Sequence, residues 1–130
     1  MNVRELFVVP GVGNPAWYAG GSRFGELLWT AGQVPARPDG TMPELFVDQV
    51  ELTLDNLEAT LRHMGGSMET LLKVNTYLSS LDDFDAYNEV YTRRLGAHGL
   101  PPRTTVEVAR FPPLMKIEIE AVAHVAAETE

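Results

Sequence analysis

The chain has 130 residues, of which 45% are hydrophobic, with ten basic and eighteen acidic side chains giving a net charge of -8, and no cysteine. That length encloses one core and leaves little room for a second, so a single domain over residues 1–130 is expected. The acidic balance repels phosphate backbones and anionic lipid, and the missing thiols exclude disulfides, thiolate nucleophiles and thiolate metal sites.

Taken in chain order, MNVRELFVVPG carries an apolar run far too short for a secretory core, and no later stretch reaches membrane-spanning length. The expectation is a soluble cytoplasmic protein with no membrane partner. A short strand is predicted at residues 4 to 9. YAGGSRFGELLWTAGQVP then reads as strand, turn and strand, with Gly25 and Glu26 at the reversal. Val47, Val50, Leu54, Leu57, Leu61 and Met64 recur at spacings of three and four, one apolar stripe on a helix that Gly65 and Gly66 terminate. KVNTYL alternates Val74, Thr76 and Leu78 against Lys73, Asn75 and Tyr77, as a strand with two unlike faces does. Ser80 and Asp83 suggest a capping box for a second helix, lined by Phe84, Tyr87, Tyr91 and Leu95 and ended by Gly96. RTTVEVAR and KIEIEAVAHV are two last alternating runs, separated by a segment whose Pro112 and Pro113 cannot sit inside a central strand.

The pattern is a sheet with two helices, enough to cover one face only. Ile117, Ile119 and Ala121 are expected under the helices, leaving Lys116, Glu118, Glu120, Val122 and His124 on the other side. That mixed face fits either a wet subunit interface or a solvated sheet surface.

Few residues suggest chemistry on their own. GVGNPA has Ala16 where a dinucleotide loop needs its third glycine, and no helical stripe follows, so it reads as a plain loop. His63, His98 and His124 lack metal-ligand spacing, and no serine sits in a nucleophile elbow. Lys73 and Lys116 fall on polar strand faces, where solvated side chains are the default and a Schiff-base role is the alternative. Arg103 differs. It follows two prolines, and the nearest acid in sequence is Glu107 on the same strand, so its guanidinium has no local partner.

TAGQVP at 30–35, FVDQVELTLDNL at 46–57, KVNTYLSSLDDFDAYNEVY at 73–91, PPRTTVEVARFP at 101–112 and KIEIEAVA at 116–123 together resemble the RidA/YjgF family of enamine and imine deaminases. The resemblance covers almost all of residues 15 to 125 in the family's order and spacing. It implies an α+β, chorismate-mutase-like mixed sheet with two helices on one face, and a homotrimer with three clefts between subunits.

It also implies roles. Arg103 matches the arginine that grips the substrate carboxylate, Glu120 the acid that orients water and moves protons, and Tyr18 the tyrosine that a neighbouring subunit lends to the pocket. Gly32 and Asn88 match further substrate-binding positions, and Thr105 stands where many relatives have cysteine, at a main-chain contact near the ligand. Trp17 adds bulk where PAWYAGG replaces the common G-P-Y-S-Q-A, and Ala31 replaces a frequent serine, so the rim and substrate choice can differ. The implied reaction is cofactor-free and metal-free hydrolysis of 2-aminoacrylate-like species to 2-oxo acids and ammonia. Other readings stay open: a pathway-dedicated enzyme for a bulkier imine or unsaturated acid, a non-catalytic small-ligand or protein-binding trimer, and the ribonuclease activity attributed to some relatives, which the acidic balance disfavours. The competing readings are half of an inter-subunit salt bridge for Arg103 and a solvated rung of the last strand for Glu120.

Overall fold

A computed structural model of the chain describes residues 3–12 and 17–127; most of the GVGNPA loop and part of the PAWYAGG stretch lie outside them. The elements are β1 (Glu5–Phe7), β2 (Gly21–Phe24), β3 (Leu27–Thr30), α1 (Phe46–His63), β4 (Leu71–Leu78), α2 (Phe84–Leu95), β5 (Arg103–Glu107) and β6 (Ile117–His124). The strands form one sheet in the order β1-β2-β3-β6-β4-β5, antiparallel except for the parallel β4/β5 pair that α2 connects. This is the expected α+β arrangement of mixed sheet and two helices.

Alternation decides which side of the sheet is buried. Val74, Thr76 and Leu78 of β4 pair with Ala121, Ile119 and Ile117 of β6, and all six are buried. Against them α1 sets Val50, Leu54, Leu57 and Leu61, each fully buried. Burying one such leucine contributes roughly 1.5–3 kcal/mol, so this stripe is what fastens α1 to the sheet. Val47, counted in the same stripe, is exposed, because it lies one turn beyond the sheet-facing surface. Gly65, at φ 95°, takes the left-handed conformation that ends α1, and the Gly66 N–H reaches back to Leu61 O at 2.8 Å.

One helix boundary differs from expectation. Ser80 does not form a capping box with Asp83; its hydroxyl accepts from the Asp82 N–H at 3.1 Å, opening a 3-10 turn over Leu81–Asp83 that feeds α2. The second helix ends at Leu95 with Gly96 as its C-cap, as expected; the chain then tightens into another 3-10 turn over Gly96–His98, which Gly99 stops at φ 88°. Lys116 precedes β6, and its N–H bonds the Gln49 side chain at 2.9 Å.

Gln49 is fully buried on α1 and joins the last loop to the helix. Its amide donates to Pro43 O at 2.9 Å and to Leu114 O at 2.7 Å while its oxygen receives the Lys116 N–H. Leu114 sits at φ 73°, so this clamp also secures a strained residue. Replacing Gln49 with leucine removes three part-buried hydrogen bonds to the backbone; Gln49→Leu is expected to lower stability by about 2 to 4 kcal/mol in denaturant unfolding at fixed protein concentration.

Candidate functional site

Arg103 opens β5, in register with Val74 of β4, and therefore points to the helix side of the sheet. There α2 meets it with one face: Phe84, Tyr87, Asn88 and Tyr91 stand at i, i+3, i+4 and i+7. The guanidinium carbon lies 4.7 Å from the Tyr87 ring centre, 4.6 Å from Tyr91 and 5.7 Å from Phe84. One terminal N–H donates to Asn88 Oδ1 at 2.6 Å. Every one of these partners is neutral. Burial pushes the Tyr87 phenol up to about 12 and raises that of Tyr91, so both remain un-ionised at neutral pH.

Among the described residues, no acid has taken the arginine. The salt bridges among the described residues use Arg62, Arg93, Arg94 and His98. Glu107, the nearest acid in sequence, instead accepts the Leu81 N–H at 2.9 Å. A cation over aromatic faces gains about 0.5–2 kcal/mol per favourable ring without losing its charge. A carboxylate neighbour would hold it more firmly and compete with any anionic ligand.

Thr105 shares the helix side with Arg103, and its hydroxyl is buried without a hydrogen-bond partner. Glu120 does not share it. It is paired with Asn75 on β4 and lies on the open face, where its Oε1 accepts the Tyr77 O–H. That hydrogen bond, burial and the charges of Glu120 and Glu118 together raise the Tyr77 phenol to about 12. Glu118, opposite Tyr77, is raised above the ordinary glutamate value by burial and then by the charge of Glu120.

Gly32 belongs to this group for a steric reason. A Cβ there would lie 2.4 Å from Glu118 Oε2, so the carboxyl of Glu118 packs directly over the glycine. The main chain is fastened beside it by the reciprocal Gln33–Ile119 bonds at 2.6 and 3.0 Å. Buried Gln33 also donates to Ala31 O at 3.0 Å and accepts from Thr60 Oγ1 at 3.0 Å.

Trp17 and Tyr18 form a third, separate place, in the connection leading into β2, where they are 91% and 55% exposed. From β2 to β5 is four strand spacings, a lateral separation of roughly 19 Å. Within one chain, then, Arg103, Asn88 and Thr105 lie together on the helix side; Glu120 and Gly32 lie together on the open face; Tyr18 and Trp17 meet neither group.

Residues 14–125 match the family model described as Endoribonuclease L-PSP. The chain belongs to the RidA/YjgF/L-PSP family. TdcF of Escherichia coli (strain K12) is 37% identical over 117 residues, covering 88% of this chain and 89% of that protein. The 2-iminobutanoate/2-iminopropanoate deaminase of the same strain is 35% identical over 109 residues, covering 82% and 85%. Of solved structures, E. coli TdcF with bound serine matches at a TM-score of 0.85 and 33% identity, covering 93% of this chain and 98% of that one. The E. coli YjgF gene product gives 0.84 and 31%, covering 92% and 96%.

Motif matching to the RidA family leaves out Tyr77, Tyr87, Tyr91 and Glu118, which the geometry adds. The signal was present for the tyrosines: two phenols on the buried stripe of a helix must find partners for their hydroxyls or for their ring faces.

Two titrations test these surroundings. In a pH titration followed by phenolate absorbance, Tyr77→Phe is expected to remove a component that ionises only as pH approaches about 12; an unchanged high-pH component would show that Tyr77 is free of Glu120. Glu118 has a raised folded pKa, so its contribution favours the folded state below the ordinary value of 4.5 and is lost as pH rises through the folded value. Glu118→Gln is therefore expected to be more stable than the parent at pH 7 and equal to it below pH 4.5, as read by thermal unfolding across that range.

Proposed function

We propose that this protein hydrolyses small carboxylate-bearing imines and enamines of the 2-iminobutanoate class to 2-oxo acids and ammonia. The observation that carries the reading is the Arg103 guanidinium, fixed by a carbonyl oxygen and aromatic faces and left with its charge uncompensated. A planar fork of this kind offers two parallel donors to a carboxylate, a contact worth roughly 1.5–3 kcal/mol when enclosed. Relatives support the substrate class: one is named a 2-iminobutanoate/2-iminopropanoate deaminase, and TdcF has been crystallised with serine, itself a small amino acid carboxylate.

The assembly is a homotrimer with a cleft at each subunit boundary. Two features favour it. Arg103 and Glu120 occupy opposite faces of one sheet, and Tyr18 sits beyond the far side of both, so one small ligand meets all three only where protomers adjoin. The open face also carries Leu6, Phe24, Leu27 and Trp29, all at least 40% exposed, an apolar half that association would cover.

In the reaction, the enamine takes a proton at carbon and gives one up from nitrogen, becoming the imine. Glu120 accepts a proton from water as the water oxygen bonds to the imine carbon, and passes it to the nitrogen, leaving a carbinolamine. The hydroxyl proton of the carbinolamine moves to the same nitrogen as the C–N bond breaks, so ammonia leaves and the carbonyl of the 2-oxo acid forms. Tyr77 orients the Glu120 carboxylate through its hydrogen bond, and Arg103 keeps the substrate carboxylate still. Water is the only co-reactant, so positioning supplies the rate gain. Thr105 and Gly32 offer main-chain groups for the nitrogen.

A second reading concerns only the size of the substrate. Trp17 is 91% exposed; at a subunit boundary it would widen the apolar rim and favour a bulkier imine.

Ammonia release coupled to a dehydratase that generates the imine is the direct assay. Arg103→Ala is expected to lose roughly 10- to 150-fold in kcat/KM with the oligomer intact, which is the scale of losing an enclosed charge-assisted contact of about 1.5–3 kcal/mol. Asn88→Asp should lose a similar amount while leaving the fold unchanged, because the new carboxylate neutralises the fork. Full activity in either variant would defeat the proposal.

A further inference from the structure

Directly beneath Arg103 are two buried hydroxyls that the deaminase reading does not use. Thr76 stands on the apolar face of β4, 1% exposed, and Tyr87 stands at the end of the first turn of α2, wholly buried. The two oxygens are 2.5 Å apart and bond each other. We infer that Thr76 and Tyr87 form a buried positioning pair: their shared hydrogen bond fixes the Tyr87 ring that supports Arg103, and so sets the direction of the guanidinium fork and the affinity of the site for a carboxylate. The inference rests on Arg103 being the carboxylate holder.

Cohesion of the core does not account for the pair. A valine and a phenylalanine would fill the same volume, and replacing both members of a buried hydrogen bond with apolar groups of like shape is close to neutral for stability. What the bond adds is orientation. The Tyr87 hydroxyl is tied to β4 at one end of the ring, while the face of that ring lies 4.7 Å from the guanidinium carbon. Tyr91 packs edge-on against Tyr87 with ring centres 5.4 Å apart, so the tilt of one ring sets that of the other, and Tyr91 is itself 4.6 Å from Arg103. Asn88, the next residue after Tyr87, supplies the hydrogen bond that fixes the fork's roll. Thr76 also lies beside Thr105 in the sheet register, so the same strand position that anchors Tyr87 borders the strand carrying Arg103.

This geometry separates two outcomes that a structural role alone would merge. In Thr76→Val and in Tyr87→Phe one hydroxyl is left buried without its partner, and both stability and ligand affinity should fall. In the double variant Thr76→Val/Tyr87→Phe stability should return to near the parent value, whereas affinity should not, because the ring is no longer tied. The measurements are unfolding midpoint, calorimetric binding of serine and of 2-oxobutanoate, and the split of kcat from KM in the ammonia assay. Expected for the double variant is a ligand dissociation constant and KM raised about fivefold, with kcat within about twofold of the parent, the scale of weakening one cation–ring support. Thr76→Ser keeps the hydroxyl and should bind as the parent does. Affinity that recovers together with stability in the double variant would overturn the inference and leave the pair as core packing; so would weakened binding in Thr76→Ser at parental stability. Arg103→Ala serves as the control. If that variant still binds both ligands, or if the parent binds neither, the reading of Arg103 falls and the inference with it; if Arg103→Ala loses binding while the double variant keeps it, only the inference falls.

Discussion

An arginine can be immobilised by an opposite charge or by groups that leave its charge intact, and the two choices have opposite consequences for a binding site. Around Arg103 the protein uses a side-chain carbonyl oxygen and three aromatic rings. The ring faces are attractive because of their quadrupoles, and burial keeps the phenols of Tyr87 and Tyr91 protonated, so no anion forms next to the cation. Orientation is thus obtained while the attraction for an incoming carboxylate is preserved. The rest of the α2 and β5 arrangement follows from this need: the helix must present one face of Phe84, Tyr87, Asn88 and Tyr91 to the first residue of an edge strand.

The sheet order then separates the residues that the proposed function brings together. Strand alternation sends Arg103 and Thr105 to the helix side and Glu118 and Glu120 to the open side, and no side-chain rotation reverses that. The open side is itself divided. Toward β1 it is apolar, with Leu6, Phe24, Leu27 and Trp29; toward β4 it is polar, with Tyr77 bonded to Glu120 and Glu118 packed over Gly32. A face of this composition suits an association in which the apolar half closes against a neighbour while the polar half lines a wet cleft. The raised proton affinity of Glu118 fits that setting, since a carboxyl partly withdrawn from water beside another negative charge holds its proton more readily.

How much of this the sequence reveals depends on which force sets each feature. The stripe of Val50, Leu54, Leu57 and Leu61 and the alternation of Val74, Thr76 and Leu78 are legible because burial acts at fixed periods. The end of β5 is not. RTTVEVAR goes on alternating, but its partner β4 stops at Leu78, whose carbonyl takes the Val108 N–H as the last bond, so strand length is set by a neighbour rather than by the run itself. Ser80 and Asp83 have the spacing of a capping box, yet a 3-10 turn intervenes and uses the serine hydroxyl one residue early. Arg103 stands out by itself, through the lack of a local acid partner, whereas Asn88 and Glu120 are legible only through their place in a family pattern. The aromatic support beneath Arg103 was hidden because Tyr87 and Tyr91 at helical spacing look the same as core until their hydroxyls are asked for partners.

The family model carries a ribonuclease description, and charge placement weighs on that. A polynucleotide is held by several phosphate contacts in a row, each needing an available cation. The one adjacent pair of cations in the chain, Arg93 and Arg94, is already engaged: Arg93 reaches Glu51 at 3.2 Å, and Arg94 reaches Glu51 at 2.8 Å and Asp55 at 2.7 Å. Burial by itself would raise the Glu51 carboxyl, but the two guanidinium groups pull it below the usual range, the mark of a closed electrostatic unit rather than a patch awaiting a partner. Arg103, by contrast, stands on a separate face of α2, walled by rings and supplied with no second cation among its contacts. Under the proposed function, a lone uncompensated fork in a chain of net charge -8 suits a small ligand bearing one carboxylate better than a long polyanion, which the net negative charge repels.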